Sequence, residues 1–288
     1  MSLIDTIVQG ALLGGVYALF ALGLSLIFGV MRLVNLAHGD LIVLSAFIVL
    51  ALTTSLGLSL PVATAITIVA MFCIGFALQR LVFERVLGED IMPPLLITFG
   101  LSIVVQNGLL LTFGADSRRL EAGAFETQSL QLMPGLTIGL APLLALMVAV
   151  AVILLLQVVF YRTSLGRAFR ATSDNAQIAQ LMGIDHRNIH ATAVGISLAV
   201  SVIAAVAFGI RANFDPATGP ARLLYAFEAV IIGGLGSLWG TLAGGMVLGI
   251  AQTVGARVDP EWQILAGHVA FLAVLFVRPH GLFPARRP

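Results

Sequence analysis

Lysine is missing from this sequence altogether, and all 15 basic residues are arginine. Without lysine there can be no GxxxxGK[ST] phosphate loop and no side-chain amine for a Schiff base, so any ATP this system consumes must be bound by another chain. Charge of either sign is also scarce. Charged residues make up 10% of the chain and the net charge is +1, against roughly 25% charged residues in soluble domains. That excludes a basic stripe for nucleic acid. The single cysteine, Cys73, cannot form an intrachain disulfide and reads as a small core residue inside an apolar run. The five histidines are scattered, with no HExxH or similar ligand spacing, so no metal site is expected. GxSxG, paired-carboxylate and Rossmann patterns are absent too, which leaves no enzyme signature.

What the chain has is apolar length: 59% hydrophobic residues over 288 positions and a mean hydropathy of +1.05. Crossing a bilayer takes about 20 apolar residues per helix. Candidate spans are Ile7–Gly29, Leu41–Ser59, Val62–Phe83, Leu95–Phe113, Ile138–Tyr161, Ala191–Ile210, a longer run Leu223–Gln252, and Trp262–Val277. The first run has no basic flank and is long enough to span, so it is read as a helix rather than a cleaved signal. The expected fold is an all-α polytopic integral membrane protein of about eight hydrophobic segments, with residues 1–288 forming a single membrane domain.

Arginine placement orients it, because basic residues near helix ends are retained in the cytoplasm. Arg162, Arg167, Arg170 and Arg187 lie in one long loop; Arg278, Arg286 and Arg287 lie in the tail. Both stretches read as cytoplasmic, and the N-terminus as external. If Leu223–Gln252 crossed once, loop and tail would fall on opposite sides, so that run must turn back. Seven of the twenty residues in Ile231–Ile250 are glycine, with Gly233, Gly234 and Gly236 clustered beside Ser237. Glycine permits the backbone angles of a break and close helix approach. A broken helix at membrane depth must be buried in protein or line a cavity, which ties this region to a transport path. The alternative is one continuous glycine-rich helix, packed through Gly240, Gly244 and Gly245.

Polar residues are few enough to consider singly. In the loop 162–190, Asp174 is expected to cap a helix through Met182, with Gly183 as a left-handed stop and Ile178, Leu181 and Met182 forming an apolar face. That face either docks a cytoplasmic subunit or lies on the membrane surface. Asn35, His38, Gly39 and Asp40 join the first two spans; His38 either lines a pathway or caps a helix end. Glu228 is the only acid within a predicted span and either serves the pathway or pairs with Arg222 or Arg211. Gln106 and Asn107 are expected to hydrogen-bond across helices.

Four stretches, GGVYALFALGLSLIFGVMRLVNLAHGD, GRAFRATSDNAQIAQLMGI, FEAVIIGGLGSLWGTLAGG and RPHGLFP, occur in an order that resembles the LivH-type permease family. These are inner-membrane subunits of bacterial branched-chain amino acid ABC importers. The resemblance implies a second related permease, cytoplasmic ATP-binding cassette subunits that hold ATP and Mg, and an external solute-binding protein. No cofactor is expected on this chain. It also implies that Gly166–Gly183 lies in the region that contacts the ATPase, with coupling expected through Gly166, Arg167, Arg170, Asp174, Ile178, Leu181 and Gly183, and that the NLAHG and GGLGS segments belong to the membrane core; the substrate pathway is expected near Asn35, His38, Gly39, Glu228, Gly233, Gly234, Gly236 and Ser237. A stand-alone channel or secondary transporter for urea or an amide is the competing expectation. It would need internal coupling groups, for which Glu228 and His38 are the candidates.

Overall fold

The computed structural model describes residues 3–86, 92–126, 128–133 and 136–283. The described chain is mostly helical, as backbone in an apolar surrounding must satisfy its own hydrogen bonds. In order it forms α1 (Leu3–Met31), α2 (His38–Ser55), α3 (Leu60–Leu81), α4 (Met92–Phe113), α5 (Leu140–Arg162), α6 (Ser164–Asp174), α7 (Ala176–Leu181), α8 (His186–Arg211), α9 (Gly219–Gly233), α10 (Leu238–Val258) and α11 (Trp262–Val277). Seven of these, α1 to α5 with α8 and α10, are long and apolar enough to cross a membrane. Among the described residues one strand pair, β1 (Ser129–Met133) with β2 (Leu136–Gly139), forms a small antiparallel hairpin before α5, a minor addition to the all-α fold.

The core forms around α1, whose middle, from Val16 to Ile27, is buried almost without interruption. Glycine sets the distance to α10. A Cβ added at Gly14 would lie 2.5 Å from the Gly245 oxygen, and one at Gly249 would lie 2.6 Å from the Gly14 nitrogen. Gly10 and Gly14 thus mesh antiparallel with Gly245 and Gly249, the small-residue packing that brings helices together where lipid gives no hydrophobic drive. The periphery is α3, α4 and α5, with Val69, Phe99, Val104, Leu111 and Leu155 exposed as lipid-facing side chains. Cys73 is exposed on α3, so the core role expected for it is corrected; it lies on the outward side of a peripheral helix.

The glycine-rich run is broken. Helix α9 stops at Gly233, the turn passes through Gly234 (φ 108°) and Gly236 (φ 79°), and α10 starts at Leu238. Both angles are left-handed, where a side chain is strained. The two arms then pack antiparallel, Gly233 against Gly240 and Gly244 against the Ala229 carbonyl. The continuous-helix alternative therefore fails. The arms extend beyond Leu223 and Gln252, and only one is short: α9 has 15 residues, whereas α10 has 21.

The turn-back puts the loop and tail at one end of the bundle. Ser173 in α6 donates to the Gly29 carbonyl at 2.9 Å, and the Gly29 and Gly236 backbones meet there. The tail joins them, Leu282 N–H donating to the Ile232 carbonyl at 2.8 Å. Glu84 contacts Arg187 at 3.5 Å at the same end. Arg32, Arg80, Arg85, Arg162, Arg167, Arg170, Arg187 and Arg278 gather at or near it. At the far end, Arg118 pairs with Phe214 through the backbone and Gln9 donates to the Thr137 carbonyl at 2.7 Å. Arg118, Arg119, Arg211, Arg222 and Arg257 lie toward that end. Arg286 and Arg287 lie outside the described residues.

Candidate functional site

The loop between α5 and α8 folds into two short helices. Thr163 caps α6, its hydroxyl accepting from the Gly166 N–H at 3.2 Å. At Gly166 the chain passes so close to the Phe160 and Val159 carbonyls that no Cβ would fit. Phe169 stacks on Phe160 with ring centres 5.1 Å apart, while Arg170 reaches back to the Phe160 carbonyl. Asp174 does not cap the next helix. It is the last residue of α6, and the neighbouring Asn175 caps α7, its Oδ1 accepting from the Gln177 and Ile178 N–H groups at 3.0 Å each. The side-chain bond from Ser173 to α1 anchors the end of α6 and so moves the cap one position along. Gly183 is left-handed (φ 83°), as expected. Ile178, Leu181 and Met182 are exposed by 59, 87 and 78%, an uncovered apolar face. Arg167 and Arg170 are exposed on α6.

Asn35, His38 and Gly39 lie far inside the bundle rather than at its rim. Arg32 (φ 53°) closes α1, and residues 32–37 run back along it without helix, so that α2 begins beside Phe20 and Gly23. His38 is fully buried, with Nε2 2.9 Å from the Phe20 carbonyl. Asn35 Oδ1 accepts from the Ala37 N–H at 3.0 Å. Gly39 abuts the Gly219 carbonyl, leaving no space for a side chain. Asp40 also belongs to α2, so Glu228 is not the only acid in a span. Asp40 is buried and accepts hydrogen bonds from Ser102 at 2.5 Å and Gln106 at 2.9 Å. Gln106 thus links helices, whereas Asn107 bonds the Ile103 carbonyl of its own helix.

The glycine joint is stitched by protein. Ser237 Oγ accepts from the Gly240 N–H at 3.1 Å and caps α10. The carbonyls freed at the end of α9 are taken by the tail, Leu282 N–H on Ile232 and Phe283 N–H on Gly233 at 2.9 Å. The freed carbonyls of this break are thereby met by protein, as irregular backbone at membrane depth requires. Gly233, Gly234, Gly236 and Ser237 gather at one end of the bundle. His38 and Gly39 lie well inside it, so the sequence-expected pathway residues form no single cluster.

Glu228 pairs with neither Arg222 nor Arg211. Its Oε1 meets Nδ1 of His268 on α11. The Glu228 side chain is 3% exposed and that of His268 33%. Beside them Tyr17 donates to Gln252 Oε1 at 2.5 Å and packs on Tyr225, ring centres 5.0 Å apart. Arg222 lies over the Phe208 ring at 4.2 Å. Sequence reasoning missed His268, Gln252 and Tyr17; a lone histidine within the Trp262–Val277 run was the available signal, since ionisable groups at membrane depth carry a function by default.

Comparison with known proteins adds the following. Residues 6–277 match the family model described as branched-chain amino acid transport system / permease component. The chain is 30% identical to the high-affinity branched-chain amino acid transport system permease protein BraD of Pseudomonas aeruginosa, over 97% of this chain and 95% of that one. It is 27% identical to LivH of Escherichia coli K12, over 95% and 93%, and 26% identical to LivM of the same organism, over 95% and 69%. Among solved structures it resembles PsaBC from Streptococcus pneumoniae in complex with Fab, with a TM-score of 0.52 at 14% identity, covering 96% of this chain and 92% of that one. At that identity the likeness concerns the fold.

Proposed function

The chain belongs to the family of branched-chain amino acid transport permease components, and on that premise we propose that it is one membrane subunit of an ATP-driven importer. Its cargo is a branched-chain amino acid or a related small polar solute. A second related permease completes the pathway, a reading supported by likeness to both LivH and LivM. Cytoplasmic ATP-binding cassette subunits hold ATP and Mg, and an external binding protein delivers the solute. The arginine-rich end is cytoplasmic under the positive-inside rule, with the N-terminus outside in a bacterial inner membrane.

The observation that carries this reading is the uncovered face of Ile178, Leu181 and Met182, presented at the arginine-rich end by a loop with its own caps. ATP-driven closure of the cassette pair moves α6 and α7. The Ser173 hydrogen bond to Gly29 passes that motion to α1, so the pathway opens alternately to the two sides.

Purification of the tagged chain from native membranes in mild detergent tests this. The expected result is co-purification of a second permease and a nucleotide-binding subunit, with ATP hydrolysis stimulated by a loaded binding protein. A lone chain that moves solute in liposomes without ATP would replace the importer by a channel or secondary transporter.

A further inference from the structure

Between α1, α9, α10 and α11 lies a polar group that the fold does not explain. Glu228 uses one carboxylate oxygen on His268; the other, Oε2, is buried and meets no hydrogen-bond partner among the described residues. Gln252, 1% exposed, uses its Oε1 on the Tyr17 hydroxyl, and its Nε2 likewise meets none. Both flank consecutive residues of α11. His268 holds Glu228, and a Cβ at Gly267 would lie 2.9 Å from Gln252 Nε2, so glycine there leaves room for the buried amide. One acceptor on α9 and one donor on α10, both buried and unpartnered among the described residues, therefore face neighbouring positions of α11. Each such group costs about 1–3 kcal/mol if nothing meets it. A helical tether would need only the bond already made.

We propose that Glu228 and Gln252 form a station in the transport path for the head group of a zwitterionic amino acid. Glu228 Oε2 accepts from its ammonium, and Gln252 Nε2 donates to its carboxylate. The inference rests on the permease reading and adds the groups that the cargo meets on the way. His268 orients the carboxylate, and its one-third exposure connects the buried pair to the outer face of α11. Tyr17 holds the Gln252 amide with its nitrogen free. A carboxylate for the ammonium and an amide N–H for the carboxylate replace part of the cargo's lost hydration, which a wall of leucine cannot do. The apolar side chain is left to the surrounding Leu, Val and Phe residues.

The test uses the complete complex in liposomes, with radiolabelled leucine delivered by its binding protein. If the wild-type complex takes up no leucine on ATP addition, the permease reading itself fails, and this station with it. Given wild-type uptake, Glu228→Gln is expected to lower the maximal rate at least tenfold. Half-saturation by loaded binding protein, complex yield and stimulated ATP hydrolysis should stay within twofold of wild type. Unchanged uptake overturns the proposal. A parallel fall in yield, hydrolysis and uptake identifies a tether between α9 and α11, and overturns it also. Gln252→Met provides the second reading, because it removes the donor at similar volume. Loss of uptake with normal yield and hydrolysis supports the station, and normal uptake overturns it.

Discussion

The crossing of α1 and α10 makes a quantitative prediction. A Cβ at Gly14 would lie 2.5 Å from the Gly245 oxygen, and one at Gly245 would lie 2.6 Å from the Gly14 oxygen, whereas ordinary contact begins at 3.4 Å. The obstacle is backbone on both sides, so no rotamer change relieves it, and the helices must separate by about 0.9 Å. A gap of ~0.5–1 Å forfeits a quarter to a half of each contact's attraction. Overpacking of this kind costs about 1–3 kcal/mol. Gly14→Ala and Gly245→Ala should each destabilise by about 2–3 kcal/mol on that basis. Both methyl groups need the same separation, so the double variant should cost about 1–2 kcal/mol less than the two costs added. Unfolding of the purified chain in mixed detergent micelles, followed by tryptophan fluorescence, measures this. Trp239 is a suitable reporter, since its Nε1 donates to Gln157 on α5 at 3.0 Å. Gly100→Ala, where nothing lies within 4 Å of an added Cβ, is the control. If Gly14→Ala matches that control, or the double variant is additive, close backbone packing is not what fixes this pair.

Other substitutions separate neighbouring roles. Asn175→Ala should cost about 1 kcal/mol by uncapping α7 and raise amide exchange across Ala176–Leu181; Asp174→Ala should leave that exchange unchanged. Leu282→Pro removes the N–H donated to Ile232, so the Ile232–Ser237 joint should become protease-sensitive, at a cost of about 1–3 kcal/mol; resistance equal to wild type would mean that the tail does not seal the break. Leu181→Asp places a charge on the most exposed large apolar residue of α7. It should abolish co-purification of the nucleotide-binding subunit without reducing membrane insertion, as judged by monodispersity in detergent, and retained co-purification would refute docking through α7.

Most spans were legible because runs of about 20 apolar residues have one economical fate in a bilayer. The break at Gly233–Gly236 was legible by a less direct route, since arginines in the loop and in the tail required a common side. Residues 32–37 were not, because Leu33, Val34 and Leu36 are as apolar as the helix before them, and nothing local says that the chain doubles back. That return is what buries His38 and places Asp40 inside α2. The competition between Asp174 and Asn175 was equally undecidable by residue type. Both are good caps, and the choice falls to the tertiary bond between Ser173 and Gly29. Glu228 stood out in the sequence as an acid in an apolar run, but its partner His268 lies forty residues away on another helix, where one-dimensional pattern carries no information.

One consequence follows from the length of α1. Its 29 residues make a rod of about 44 Å, held at one end by Ser173, geared to α10 by glycine teeth at Gly10 and Gly14, and carrying Tyr17 between. A helix buried through its middle is stiff along its axis, each turn braced by its own hydrogen bonds. On the importer reading, a push delivered at Gly29 would be carried along this rod to the tyrosine that holds Gln252, so that a displacement at the arginine-rich end would be felt in the middle of the bundle.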